Sequence, residues 1–104
     1  ATVFFEFDSY NLTSKSIQTL KSVVSVMNSN IDIEITLAGH ADERGTREYN
    51  LALGQRRAES VKDYFLLNGI MSSRVTVKSY GEERPLSLGN DEASYSKNRR
   101  VEIN

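Results

Sequence analysis

Two charged residues of opposite sign stand out in the sequence because their positions suit ligand binding. Asp42 lies in a polar loop that follows a predicted strand, and α/β folds commonly place ligands at this end of a strand. Arg57 shares the inward face of a predicted long helix with Gly54 and Ala58, whereas Arg56 should face solvent. A carboxylate binds an ammonium group, and a guanidinium binds a carboxylate through two parallel hydrogen bonds. Together, Asp42 and Arg57 therefore suit a zwitterionic ligand.

Each of these residues also has a structural interpretation. Arg57 could form an internal salt bridge, or its side chain could extend along the helix edge to reach solvent. Asp42 could cap the following helix or form a turn. The spacing of the residues leaves these alternatives open.

Other chemistries have little support in the sequence. His40 and Asp42 could be two metal ligands, but a catalytic zinc site needs a third protein ligand and the chain has one histidine. Asp42 and Glu43 are adjacent in a loop and should diverge, whereas glycoside hydrolysis needs two carboxyl groups that face each other across one bond. The chain has no cysteine, no catalytic-triad order and no phosphate-binding glycine loop. The sequence predicts a binding domain that is not an enzyme and holds no metal or cofactor.

Length and charge narrow the class of partner. The chain has 104 residues, with 13 Lys and Arg against 14 Asp and Glu, so its formal net charge is -1. No overall positive field would attract nucleic acid or anionic lipid. The apolar runs are far shorter than the roughly 20 residues that cross a membrane. We expect one soluble domain over residues 1–104.

The first half of the chain predicts a strand, a helix and a second strand. Val3, Phe5 and Phe7 alternate with other residues in a strand that ends at Asp8. A helix is predicted between Thr13 and Asn28, with Thr13 or Ser14 as the N-cap. Its apolar stripe consists of Ile17, Leu20, Val24 and Met27. A second strand is predicted from Ile31 to Ala38, closed by Gly39.

The second half predicts a long helix and two further strands. The helix starts near Thr46 to Asn50 and ends at Asn68 and Gly69, where glycine suits a left-handed backbone. A strand follows from Val75 to Tyr80, a helical turn near Asp91 to Tyr95, and a last strand at Val101 and Ile103. Arg99 is in phase with the apolar residues of this last strand and Arg100 faces the other way, so one of them should brace the fold. The order of elements predicts a two-layer α/β sandwich with helices on one face of a mixed sheet.

Several separated motifs resemble a known family. They are Gly39-His40-Ala41-Asp42-Glu43-Arg44-Gly45-Thr46, Glu48-Tyr49-Asn50, Leu53-Gly54-Gln55-Arg56-Arg57-Ala58, Ser79-Tyr80-Gly81 and Tyr95-Ser96-Lys97-Asn98-Arg99-Arg100. In this order, they resemble the OmpA-like peptidoglycan-binding domain, and the resemblance extends from Phe5 to Ile103. It implies a βαβαββ fold whose four-stranded sheet has the order 1-4-2-3, with strand 4 antiparallel to its neighbours.

The resemblance also implies a function and a set of site residues. The family binds peptidoglycan without a covalent bond, through the zwitterionic side chain of meso-diaminopimelate in the stem peptide. Asp42 matches the aspartate of the family's G-H-x-D loop, and Arg57 matches the arginine of its N-x-x-L-x-x-x-R-A helix motif. The other pocket residues that the resemblance implies are Phe7, Asp8, Tyr10, Arg44, Thr46 and Leu53.

Within this family, Ala41 and Gly54 are similar to the lipoprotein branch, whereas the ending Arg100-Val101-Glu102-Ile103 is more similar to OmpA porin tails and flagellar stator subunits. The lipoprotein branch is anchored by a lipid upstream of this domain and lies at the periplasmic face of the outer membrane. That branch implies a tether between outer membrane and cell wall in the Tol-Pal system. It also implies docking of the propeller protein TolB through the same face as the cell wall.

Overall fold

The sheet has the strand order and mixed polarity that the resemblance implied. A computed structural model describes residues 1–104. The strands are β1 (Thr2–Phe4), β2 (Ile35–His40), β3 (Val75–Gly81) and β4 (Arg100–Ile103), arranged in the order β1-β4-β2-β3. Strand β4 is antiparallel to both β1 and β2, while β2 and β3 are parallel. The predicted fold class is confirmed.

Three helices join these strands, and each starts at a side chain that caps it. They are α1 (Ser14–Ser29), α2 (Arg47–Leu67) and the short α3 (Glu92–Asn98), and one turn of 3-10 helix (Ser72–Arg74) precedes β3. The side chains of Thr13, Thr46 and Asp91 accept hydrogen bonds from backbone N–H groups in the first turns of α1, α2 and α3. After α2, Gly69 takes the left-handed backbone that the sequence predicted, with φ of 85°. No helix combines the length and the hydrophobicity that a membrane crossing requires.

Helices α1 and α2 cover one face of the sheet, and the core lies between the two layers. Alternate strand residues point towards the helices, as period-two sequences require. The core consists of Val3, Phe5, Leu20, Val24, Met27, Ile35, Leu37, Ala58, Val61, Phe65, Ile70, Val75, Val101 and Ile103. Three of the four residues in the predicted stripe of α1 are buried there, and Ile17 is half-buried.

Two strands, β1 and β2, differ from their predicted bounds by more than one residue. Strand β1 ends at Phe4, and Phe7 is 57% exposed because the chain turns at residues 7 and 8. Strand β2 begins at Ile35 instead of Ile31, which lies in a turn and is 76% exposed, and it continues to His40. The alternating pattern of residues 31–34 has no adjacent strand to pair with, because the parallel partner of Ile35 is Val75, the first residue of β3.

The sheet and α2 approach each other closely at two glycines. A Cβ atom on Gly39 would lie 1.8 Å from the carbonyl oxygen of Gly54, and one on Gly54 would lie 2.4 Å from Ser79 Oγ. Both positions therefore require glycine, and the absence of side chains there lets the helix axis lie near the sheet. Arg57 lies almost one turn beyond Gly54. The close approach of α2 to the sheet places Arg57 against the end of β2.

Candidate functional site

A pocket of about 410 Å³ lies where the turn after β1, the loop after β2 and the first turns of α2 meet. All of the predicted site residues except Tyr10 line it: Phe7, Asp8, Asp42, Arg44, Thr46, Leu53 and Arg57. The two residues that the sequence analysis singled out by charge and position, Asp42 and Arg57, thus lie in the wall of one pocket.

The carboxylate of Asp42 is buried and fully hydrogen-bonded. Its Oδ1 accepts bonds from the backbone N–H and the Nε of Arg44 at 3.0 and 3.1 Å, and its Oδ2 accepts from Arg44 Nη2 at 2.8 Å and Arg99 Nη1 at 3.4 Å. These bonds use all four of its lone-pair positions. Burial by itself raises the pKa of Asp42, but the hydrogen bonds and charge of Arg44, with the bond from Arg99, hold that pKa below its usual range. Asp42 is therefore ionised at neutral pH, and its backbone bond also forms the turn that the sequence left open.

Arg44 is held in the pocket by two aromatic rings. Its guanidinium carbon lies 4.1 Å from the ring centre of Phe7 and 4.4 Å from that of Tyr95. A cation stacked on aromatic faces in this way is attracted by the ring electrons. The arginine that neutralises Asp42 is therefore fixed on both faces, while its side chain keeps 37% of its surface exposed.

The side chain of Arg57 is completely buried, and its hydrogen bonds go to backbone carbonyl groups. Its Nε donates to Ser9 O at 2.8 Å, Nη1 to His40 O at 2.9 Å and Nη2 to Glu6 O at 3.1 Å. It forms no ion pair, so the internal salt bridge that the sequence left open is absent, and the side chain does not extend to solvent. Of the five guanidinium N–H groups, two remain for a ligand. Burial, with a contribution from the charge of Arg99, lowers the pKa of Arg57 to about 10, so it stays protonated at neutral pH.

Arg99, which precedes β4, and Arg100, which begins it, both brace the fold, whereas the sequence predicted this role for one of them. Arg99 donates to Phe5 O at 2.9 Å, to Asp42 and to Glu92 Oε1 at 2.7 Å, so it joins four segments beneath the pocket. On the opposite sheet face, Arg100 is equally buried and bonds Glu102 Oε2 at 2.7 Å through Nη2. The alternation predicted these opposite directions correctly.

Four further residues line the pocket, although the sequence did not predict them as site residues. They are Ala41, Gly45, Tyr49 and Asn50. The Tyr49 hydroxyl donates to Asp8 across the pocket entrance, and Asn50 Nδ2 donates to Glu82 Oε1 at 3.0 Å. Tyr49 and Asn50 belong to the same helical face as Thr46, Leu53 and Arg57, at steps of three and four residues. From this helical periodicity, Tyr49 and Asn50 could have been predicted to line the pocket.

Tyr10 is separate from the pocket. It lies in a shallow groove on the outer side of α2, where the guanidinium of Arg56 is 5.7 Å from its ring centre. The structure does not bring Tyr10 together with the other predicted site residues.

The residues considered for metal binding and hydrolysis point in different directions. His40 stacks on Tyr80 at the far face of the sheet, while Asp42 faces the pocket. No group of three or more His, Cys, Asp or Glu side chains is arranged to hold a metal ion. Glu43 accepts a hydrogen bond from the Tyr95 hydroxyl at 3.2 Å, whereas Asp42 bonds Arg44 and Arg99. The two adjacent carboxylates therefore diverge, as expected of neighbours in a loop.

Comparison with known proteins agrees with the fold and the motifs. The model of the OmpA family matches residues 4–99. The chain belongs to the OmpA family. Two relatives named peptidoglycan-associated lipoprotein are similar over nearly the whole chain: 48% identical in Pasteurella multocida, covering 96% of this chain and 67% of that protein, and 45% identical in Pseudomonas putida, covering 98% and 61%. The chain thus spans about two thirds of the length of these OmpA-family relatives.

Two solved structures have the same fold as this chain. The peptidoglycan-associated lipoprotein of Burkholderia pseudomallei superposes with a TM-score of 0.95 at 41% identity, covering 98% of this chain and 86% of that chain. The C-terminal domain of Helicobacter pylori MotB superposes with a TM-score of 0.90 at 20% identity, covering 100% and 82%. At that identity, the second comparison supports the fold alone.

Proposed function

We propose that this domain binds peptidoglycan without a covalent bond, through the zwitterionic side chain of diaminopimelate in the stem peptide. Asp42 takes the ammonium group, Arg57 takes the carboxylate, and the domain does no catalysis. The observation that carries the proposal is the presence of these two opposite charges in the wall of one pocket. The relatives named peptidoglycan-associated lipoprotein support it, since they are 40–48% identical to this chain.

Binding of the ammonium group requires an exchange at Asp42. Since its four lone-pair positions are occupied, a ligand ammonium must replace Arg44 or Arg99. Arg44 is the partner that moves aside and gives up its stacking on Phe7 and Tyr95, because its side chain is 37% exposed, whereas that of Arg99 is 5% exposed. The ligand then supplies the positive charge that Arg44 supplies in the free protein.

The ligand carboxylate reaches Arg57 in a different way. Arg57 is covered by the turn at residues 6–9, two of whose carbonyl groups it bonds. When that turn moves outward, Arg57 Nε and Nη2 lose their bonds to Ser9 O and Glu6 O, so these groups and the two remaining N–H groups can bond the carboxylate. Asp8 takes a left-handed backbone with φ of 53° in this turn, a conformation that few residues with a side chain adopt and that aspartate tolerates better than most.

Selectivity for diaminopimelate over lysine follows from the second carboxylate of diaminopimelate. A stem peptide with lysine in place of diaminopimelate has the ammonium group but lacks the second carboxylate. Its binding would leave Arg57 without an anion, and a site whose buried polar group stays unpaired rejects such a ligand strongly. We expect the lysine peptide to bind at least about 100-fold more weakly.

The experiment is a calorimetric titration with the two stem peptides, followed by amide chemical shifts. Asp42→Asn should weaken the binding of both peptides, because both carry the ammonium group, and Arg57→Lys should reduce the preference for diaminopimelate. Arg56→Lys is the matched control, because Arg56 is exposed on the same helix. Equal affinity for the two peptides in the unmodified protein would contradict the proposal.

The place of the domain in the cell is part of the same proposal. The domain tethers the outer membrane to the cell wall from the periplasmic side, with a lipid anchor in the chain that precedes it. Docking of TolB at the same face is favoured by two exposed aromatic side chains at the pocket, Phe7 at 57% and Tyr49 at 50%, because aromatic residues often anchor protein interfaces. A pull-down of TolB with saturating stem peptide tests this shared face, since a complex that persists unchanged would contradict it.

A further inference from the structure

A second groove lies on the sheet face that α1 and α2 leave uncovered. Its volume is about 440 Å³, and it shares no residue with the pocket at α2. Outward-pointing residues of β2, β3 and β4 form its floor, and the segment after β3 forms one side. The groove is therefore a separate site from the pocket that is proposed to bind the cell wall.

Two positively charged side chains in this groove have no partner within the protein. Lys78 is exposed and forms neither a hydrogen bond nor an ion pair through its ammonium group. The guanidinium of Arg84 lies 3.9 Å from the ring centre of Tyr80 and also forms no ion pair. The only acidic side chain that lines the groove, Glu102, is already bonded by Arg100 at 2.7 Å. The groove thus has two free cationic side chains and no free acidic side chain.

His40 in the floor gives an independent sign of an incomplete site. Its side chain is 2% exposed, and neither ring nitrogen has a hydrogen-bond partner, which is rare for a buried polar group. Burial, together with the charges of Arg100 and Arg84 and against the opposing effect of Glu102, lowers the pKa of His40 to about 4. The imidazole is therefore neutral and retains one unused N–H donor.

We propose that this groove, lined by His40, Lys78, Tyr80, Arg84 and Leu86, binds an extended acidic segment of a partner protein. Lys78 and Tyr80 point to the same side of β3, about 7 Å apart, and Arg84 lies over Tyr80. Alternate residues of an extended peptide have the same spacing, so carboxylates at positions i and i+2 can meet both cations. Leu86, which is 61% exposed, offers an apolar contact that a peptide side chain fills and an inorganic anion does not.

The probe is a capped pentapeptide of sequence Glu-Ser-Glu-Ser-Leu, titrated into the protein and followed by amide chemical shifts. Its carboxylates and leucine lie on one side when it is extended. The isomer Glu-Glu-Ser-Ser-Leu puts the two carboxylates on opposite sides, and Gln-Ser-Gln-Ser-Leu removes the charges. We expect the first peptide to bind at least about fivefold more tightly than both controls, with shifts at residues 78, 84 and 86.

Variants separate this groove from general charge attraction. The double variant Lys78→Gln with Arg84→Gln should weaken binding about tenfold, and Lys21→Gln with Arg56→Gln, which removes the same charge from exposed positions elsewhere, should not. Both variants should bind the diaminopimelate peptide like the unmodified protein, which shows that they fold. Equal loss in the two variants, or equal affinity for the two acidic isomers, would overturn the proposal. Binding of inorganic phosphate or phosphatidylglycerol vesicles in place of the peptide would also overturn it.

Discussion

Replacement of Arg57 with alanine tests whether one buried guanidinium joins the two sides of the pocket. The side chain bonds the turn after β1 through Glu6 O and Ser9 O, and the end of β2 through His40 O. Alanine leaves these three carbonyl groups without their donor. We therefore expect Arg57→Ala to destabilise the whole domain in addition to changing ligand binding.

The size of this loss follows from the contacts. A hydrogen bond from a charged donor contributes about 1.5 kcal/mol net, so three contribute about 4 to 5 kcal/mol. Release of a buried cation from its desolvated site offsets part of this, which leaves about 4 kcal/mol. For a domain of this size, that loss corresponds to a fall in Tm of about 15–20 °C. It is also a large share of the roughly 5–15 kcal/mol that stabilises a typical domain.

The assay is urea unfolding of Arg57→Ala, Arg57→Lys and the unmodified protein, followed by circular dichroism at pH 7. Lysine keeps the charge but cannot span three carbonyl groups as the planar guanidinium does, so we expect it to lose about 2 kcal/mol. Arg56→Ala is the control, because that side chain is exposed and its loss should change stability by less than about 0.5 kcal/mol.

A small effect would refute the reasoning. If Arg57→Ala loses less than about 1 kcal/mol, the three bonds contribute little, and the turn at residues 6–9 is held by other contacts. In that case, the variant would report on ligand binding alone. The expected large effect means that loss of binding in Arg57→Ala is ambiguous, so Arg57→Lys is the variant to use for the ligand.

Three other outcomes follow from the structure. Gly39→Ala places a methyl group 1.8 Å from the carbonyl oxygen of Gly54, so it should lose at least about 3 kcal/mol in the same urea assay. His40 is the only histidine, and its pKa of about 4 in the folded state lies below the ordinary value of 6.5. The unfolded chain therefore binds the proton more readily, and stability should fall by up to about 2 kcal/mol from pH 7 to pH 5, with His40→Gln removing most of this slope. Arg44→Gln frees Asp42, so it should bind the diaminopimelate peptide at least as tightly in calorimetry, whereas a loss beyond about tenfold would show that Arg44 itself holds the ligand.

Local patterns in the sequence were enough to predict the type of each element and the face of α2 that lines the pocket. Helical and strand periodicities depend on residues close in the chain, and capping residues such as Thr46 have a recognisable type. The ends of β1 and β2 were not predictable in this way, because a strand ends where its neighbour does. The start of β2 depends on Val75, which lies 40 positions beyond Ile35.

The partners of the site residues were harder to predict than the residues themselves. Burial of Arg57 followed from its helical face, but its partners are backbone carbonyl groups 17, 48 and 51 positions away, and carbonyl groups have no sequence signature. Likewise, Asp42 meets Arg99 across 57 positions, a contact that only the assembled sheet creates. The resemblance to a family supplied the other site positions and the strand order, but it did not supply these contacts.

The pairing of the first strand with the last has a mechanical consequence. Strand β1 runs from Thr2 towards the pocket and pairs antiparallel with β4, and Thr2 lies opposite Glu102. If the domain acts as the proposed tether, anchored before residue 1 and held at the pocket, tension acts along β1. The hydrogen bonds between β1 and β4 lie across that direction, so they resist the force together, in shear. The lifetime of the tether under tension is then set by how fast the short pairing between β1 and β4 separates. The equilibrium stability of the whole domain matters much less.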